Sequence, residues 1–312
     1  MKNIHFPPDF VLIGAAKCGT TAFFNILCQH PEIFGPPVKE PHYFSQFDVD
    51  KFSREFRSNN VIDTEAYFTQ EILPERFQLF IQDKQHYLRL FETAPPGTIT
   101  GEASTSYLYS PGAAKRIRDH NPSMKILAIL RNPIERAFSH YTMSAKYGYT
   151  TDDFLTAIQK DQKKIEKGWG LSHLFLELGH YDEQVLRYME VFPRDQLHFI
   201  RYEEWIANPE STFNETFQFL NIDPIKPDFT IRRNVGEIPR FRHLNHWLHR
   251  VGLRQSIADR LPTRIKSHLR SWYLSPKYTL QSQDISSLKR YYEPRIKRLS
   301  EILNWDLTTW LE

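Results

Sequence analysis

At 312 residues with 40% hydrophobic and 25% charged side chains, the chain is composed like an ordinary globular protein and is long enough to bury a substantial core. A net charge of +3 gives no whole-chain field for nucleic acid, so no nucleic-acid partner is expected. No run of 18 apolar residues occurs, and the first strand pattern begins too early to leave room for a signal peptide's apolar stretch, so a cytoplasmic protein without a transmembrane segment is expected. Cys18 and Cys28 are too few for a disulfide framework and wrongly grouped for zinc, and no metal is expected.

In chain order, the apolar run Phe10-Val-Leu-Ile13 predicts a buried strand. It leads through Gly14-Ala-Ala-Lys17-Cys18-Gly19-Thr20-Thr21 into a helix-like stretch, Ala22 to Cys28. A strand, glycine-containing loop and helix in that order form an anion cradle, because helix-starting amides lack intrahelical acceptors. The loop differs from the triphosphate pattern G-x-x-x-x-G-K-[ST]: Lys17 precedes the second glycine, and Thr20 stands where that lysine belongs. A lysine placed earlier, followed by two hydroxyls, suits a shorter anion that needs no metal. Residues 47–98 are polar and aromatic. Their end, Gln78 to Phe91, predicts a helix, so the segment reads as a helical excursion that forms a wall.

Strands are predicted at Ile99–Glu102, Lys125–Leu130 and Leu197–Arg201, separated by helical stretches, which is the order of a parallel α/β sheet. Lys125–Leu130 runs into Arg131-Asn-Pro133, where Pro133 suits a first helical turn. Arg131 then lies at a strand's carboxyl end and Ser139 on the following helix, both placed to face one phosphate.

With both motifs in view, the chain resembles the PAPS-dependent sulfotransferases, which take a sulfuryl group from 3′-phosphoadenosine 5′-phosphosulfate. Gly179 to Tyr188, Phe192 to Glu204, Phe219-Leu-Asn-Ile222 and Leu303 to Trp310 extend the likeness to the general bacterial-type domain, related to carbohydrate and heparan-sulfate sulfotransferases. The resemblance implies one sulfotransferase domain over 1–312, with a P-loop-like three-layer α/β fold in which helices flank a central parallel sheet. It implies that Lys17, Cys18, Gly19, Thr20 and Thr21 hold the 5′-phosphosulfate, and that Arg131 and Ser139 hold the 3′-phosphate. Tyr202 is placed to contact adenine or to pack on the next helix, and Arg232 or Arg233 to close over the 3′-phosphate.

Lys17 is expected to neutralise charge on the leaving phosphate. Lys39-Glu40-Pro-His42-Tyr-Phe44 resembles the segment carrying the glutamate base of carbohydrate sulfotransferases, so Glu40 is the expected base, with a pKa raised by partial burial. His42 and His140 compete for that role. The stretch Gly101 to Tyr107 contains no histidine, and Ala103 stands where glycosaminoglycan enzymes carry lysine, which argues against a heparan-like acceptor. The acceptor is otherwise open: a hydroxyl or amine of a small molecule, lipid or carbohydrate. The alternatives are a P-loop nucleotide kinase or NTPase, and a nucleotide-binding module without chemistry.

From 235 to 283 there are nine Lys/Arg against two acidic residues, with aromatics interleaved. This basic stretch reads as a helical cover, an acceptor lid, a dimer contact or a peripheral membrane surface.

Overall fold

Burial on both faces selects the strands at the centre of this protein. Phe10–Leu12 (β1) and, after Lys125, the rest of Lys125–Leu130 (β6) are apolar without alternation, as strands covered by helices on both sides must be. The computed structural model describes residues 7–230, 240–250 and 279–312. In it β1 pairs in parallel with β6 and with Ile99–Ala103 (β5). The sheet extends from β5 to Ile33–Phe34 (β2) and from β6 to Leu197–Arg201 (β7), giving the order β2-β5-β1-β6-β7. The switch in strand direction of travel falls at β1, where open α/β sheets bind their ligands.

The bounds of β6 and β7 are as the sequence predicts, while β1 stops one residue earlier and β5 runs one further. A second parallel pair, Val38–Glu40 (β3) with Arg76–Gln78 (β4), sets Val38 opposite Arg76 and Glu40 opposite Gln78. The expected helix over Gln78–Phe91 is corrected by this pairing. Leu79 and Ile81 donate their amides to the Glu40 and Pro41 carbonyls at 2.9 and 3.1 Å, so the chain stays extended there. Helix forms only over Lys84–Arg89, where the Asp83 side chain caps the His86 amide. The excursion 47–98 is therefore part helix and part strand.

The helix Pro133–Tyr147 starts as predicted, with Pro133 in its first turn and the Asn132 side chain accepting the Ile134 amide. The long helix Ser282–Leu303 braces it: Tyr292 is fully buried and donates to the Leu176 carbonyl, and Arg295 bridges to Asp182 at 2.9 Å. Of the basic stretch 235–283, residues 240–250 and 279–283 are described. The helix Arg242–Arg250 buries Asn245 and His249 against Pro133–Tyr147, with Asn245 donating to the Ala145 carbonyl. No helix among the described residues is long and apolar enough to cross a membrane.

At the sheet's centre, the Phe10 ring lies across Gly101, where an added Cβ would stand 2.0 Å from Phe10 Cζ. Both residues belong to paired strands, so neither backbone can withdraw. Gly101→Ala is therefore expected to destabilise by about 1–3 kcal/mol, the usual cost of overpacking a well-packed core. Urea denaturation checks this, and an unchanged midpoint contradicts it.

Candidate active site

The candidate donor residues gather at the carboxyl edge of the sheet. After β1 the chain turns through Gly14, Lys17 (φ 72°) and Gly19 (φ 77°) before the helix Thr20–Leu27 begins. Gly19 caps that helix without any side-chain bond. A Cβ there would come within 2.4 Å of Trp205 Cζ3 and 3.1 Å of Tyr202 Cε2, so only glycine lets the aromatic pair press against the loop. Thr20 is buried and Thr21 exposed at the helix start. Cys18 turns inward: its thiol faces Tyr181 Oη at 3.7 Å, its amide donates to the Ala15 carbonyl, and burial pushes its pKa up to about 11.

Lys17 reaches across to Met143 Sδ at 3.2 Å on the helix Pro133–Tyr147, and among the described residues no carboxylate pairs with it. Burial, then the charges of Arg131 and Arg136, push its ammonium down to about 8, with Lys146 adding a smaller repulsion. Positive charge is thus crowded around Lys17, which has no carboxylate of its own among the described residues. Arg131 lies over the Tyr202 ring at 4.7 Å and pairs with Glu135 at 2.8 Å. Tyr202 therefore lies between the loop and Arg131 while also packing edge-on against Trp205. Ser139 is half-buried two turns into the same helix, and no hydrogen bond joins its hydroxyl to Arg131. Arg232 and Arg233 lie outside the described residues.

Sequence reasoning assigned Arg136 no role. It is fully buried, donates Nη2 to the Phe175 carbonyl, and leaves Nε and Nη1 without partners, so its charge bears on Lys17 and Cys18. Nothing in the run Ile134-Glu-Arg136 separates it from a solvated helical arginine; only the approach of 175 reveals the burial.

The candidate base stands on the other side of β5. Glu40 is 5% exposed, pairs with Lys39 Nζ at 2.7 Å and accepts from Thr105 Oγ1 at 2.9 Å. The expected rise of its pKa is corrected: burial does push it up, but Lys39, His42 and the two hydrogen bonds outweigh this, and the pKa is lowered. Thr105 also lies beside the loop after β1: a Cβ added at Gly14 would stand 3.4 Å from its carbonyl oxygen. His42 Nε2 is 3.7 Å from Glu40 Oε2 and has no hydrogen-bond partner, while Nδ1 meets Ser106 Oγ at 2.7 Å. Burial, with Lys39, pushes His42 down to about 4 against the pull of Glu40, so the ring is neutral at pH 7. His140 packs against Phe175 with Nδ1 buried and unbonded. Burial and the Arg136 charge hold it well below the usual histidine range.

The loop after β1, with its helix start and neighbouring cations, thus stands close to the Glu40 carboxylate, with Thr105 between them. The sulfotransferase domain family matches residues 7–234. The chain belongs to the sulfotransferase family. Such membership implies an enzyme of sulfuryl transfer. A sulfotransferase from Alicyclobacillus acidocaldarius superposes with a TM-score of 0.72 at 26% identity, covering 99% of this chain and 100% of its own. Mouse carbohydrate sulfotransferase 15 is 25% identical over 256 residues, covering 70% of this chain and 44% of its own length. Human heparan sulfate glucosamine 3-O-sulfotransferase 3B1 is 24% identical over 223 residues, covering 71% and 48%. This sulfotransferase chain thus spans less than half the length of these curated relatives.

Beneath Glu40 lies a second, uncompensated carboxyl. Glu102 is fully buried and receives Tyr107 Oη at 2.5 Å, Ser104 Oγ at 2.9 Å and Tyr87 Oη at 3.2 Å, with no cation bonded to it. Burial raises its pKa to about 8 against these hydroxyl bonds. A raised folded-state pKa means that the group's stabilisation is complete below its unfolded value near 4.5 and is lost as pH climbs to about 8. Relative to Glu102→Gln, the wild type is expected to lose unfolding free energy between pH 5 and pH 8. Urea titrations of both proteins across that range check the sign, and a constant difference contradicts it.

Proposed function

We propose that this sulfotransferase takes the sulfuryl group from PAPS and passes it in line to a hydroxyl or amine of a small-molecule, lipid or carbohydrate acceptor. The observation that carries the donor assignment is the cluster Lys17, Arg131, Arg136 and Lys146, in which Lys17 has no carboxylate partner among the described residues. A concentrated positive field beside a helix start fits a phosphosulfate and a second phosphate. PAPS, when bound, supplies the activated sulfuryl group.

Lys17 is assigned to the bridging region between phosphate and sulfur, where its charge answers the negative charge that develops on the leaving oxygen. The Thr20 hydroxyl and the amides at the start of the helix Thr20–Leu27 orient the 5′-phosphate. Arg131, already bent towards Tyr202, is assigned with Ser139 to the 3′-phosphate, and the Tyr202 ring to the adenine beside it. Glu40 takes the acceptor proton. Its lowered pKa keeps the carboxylate ionised at neutral pH, and Lys39 and Thr105 fix its orientation. A carboxylate offers about four lone-pair sites, so those two bonds leave room for an acceptor hydroxyl.

Two outcomes follow. Calorimetry is expected to show tight binding of 3′-phosphoadenosine 5′-phosphate without Mg²⁺, and Arg131→Ala to weaken it by about 1.5–3 kcal/mol, the worth of a charge-assisted bond. Equal affinity for the nucleotide lacking the 3′-phosphate removes the assignment. Glu40→Gln is expected to keep that affinity while slowing transfer by roughly 10²- to 10⁴-fold, the usual contribution of a positioned general base. Full activity of Glu40→Gln with every working acceptor sinks the role of Glu40.

A further inference from the structure

Side chains carry the pairing of β6 and β7 beyond the end of the sheet. Leu130 is the last residue of β6 paired with β7, opposite Arg201. One residue further the Arg131 guanidinium lies over the Tyr202 ring at 4.7 Å, and one further again the Asn132 amide donates to Glu203 Oε1 at 2.9 Å. The C-terminal turn Thr308–Trp310 ties in both strand ends: Asn132 Nδ2 donates to the Trp310 carbonyl at 3.2 Å, and Arg201 Nη1 to the Asp306 carbonyl at 2.9 Å. Trp310 is buried and the Asp306 carboxylate accepts the Thr308 amide, so the turn is itself held in place.

The Arg131 side chain is otherwise weakly held. Besides the Tyr202 ring, its partner among the described residues is Glu135, an exposed carboxylate one turn on, and exposed pairs of that spacing hold weakly. The direction of Arg131 therefore depends on the backbone it leaves from, and that backbone is fixed one residue later by three bonds through Asn132: to Glu203, to Trp310, and from the Ile134 amide at 3.0 Å. The bond to Glu203 is the charge-assisted one, the stronger class. Glu203 Oε2 is buried without a hydrogen-bond partner, so among the described residues Asn132 is what this carboxylate holds. Glu203, Arg201, Asn208 and Trp310 line a surface cleft of about 300 Å³, so truncating Glu203 widens an opening and leaves no closed cavity.

We infer that Glu203 is a positioning residue for 3′-phosphate recognition: acting through Asn132, with the Trp310 carbonyl as second anchor, it sets the direction from which Arg131 meets that phosphate. The inference rests on the donor reading above, with Arg131 on the 3′-phosphate. The test is calorimetry on the full chain with 3′-phosphoadenosine 5′-phosphate and with adenosine 5′-monophosphate, which lacks the 3′-phosphate, and the readout is the ratio of the two affinities. Glu203→Ala is expected to lower that ratio about tenfold, as loss of a charge-assisted bond does, with affinity for the monophosphate kept within about twofold. Glu203→Gln, which keeps an oxygen for the Asn132 amide, is expected to restore most of the ratio. Asn132→Ser keeps a capping oxygen for the helix but loses the bond to Trp310, and is expected to lower the ratio about threefold. A role confined to stability would lower the thermal midpoint and both affinities together, leaving the ratio unchanged. An unchanged ratio in Glu203→Ala overturns the inference, and if Arg131→Ala still abolishes the preference the donor assignment stands. Should Glu203→Ala not fold, an unchanged ratio in Asn132→Ser overturns it in the same way. A wild type with no preference between the two nucleotides overturns both readings.

Discussion

Everything at this site depends on Lys17, a half-buried cation with no carboxylate partner among the described residues, at the carboxyl edge of the sheet. β1 and β6 are adjacent and parallel, so the loop after one and Arg131 after the other must open on the same side. Lys17 and Arg131 are consequently brought near each other by strand pairing, and Arg136 joins them from the first turn and a half of the next helix. Burial, and after it the charges of Arg131 and Arg136, costs free energy that the lowered proton affinity of Lys17 records. The glycine that admits Trp205 and Tyr202 against the loop keeps the helix start close to this charge.

Across β5 the electrostatics are reversed. Glu40 is satisfied twice over, by Lys39 and by Thr105, and Glu102 below it is held by hydroxyls alone. On one side lies a cation with no carboxylate partner; on the other, a carboxylate held by Lys39 on its own strand and by Thr105 just past β5.

Much of this could be read from the chain, for definite reasons. Ile126–Leu130 is five residues of unbroken aliphatic pattern after Lys125, and such a run announces a buried parallel strand. The donor motif was legible because Gly14, Lys17 and Gly19 lie within six positions of one another, where spacing alone constrains the backbone. β2, β3 and β4 were not legible, being two or three residues long, below the length at which alternation can be distinguished. Gln78–Ile81 looked helical because its apolar residues adjoin a helical stretch, but the β3 backbone claims its amides first. The direction of Glu40's pKa depended on Lys39 folding back onto its neighbour instead of reaching into water. Arg136 gave no signal, since the contact that defines it comes from a residue tens of positions away.

Thr105 places a constraint on how such a protein can diversify. Its carbonyl would lie 3.4 Å from a Cβ added at Gly14 and its hydroxyl holds Glu40, so one residue just past β5 stands between the loop after β1 and the Glu40 carboxylate. Changes there would reach both together. The segments around 47 and 169, which touch His42 but carry none of the donor cations, are exempt from that double duty. Substitutions in those two stretches would leave the Lys39–Glu40–Thr105 contacts and the strand ends in place.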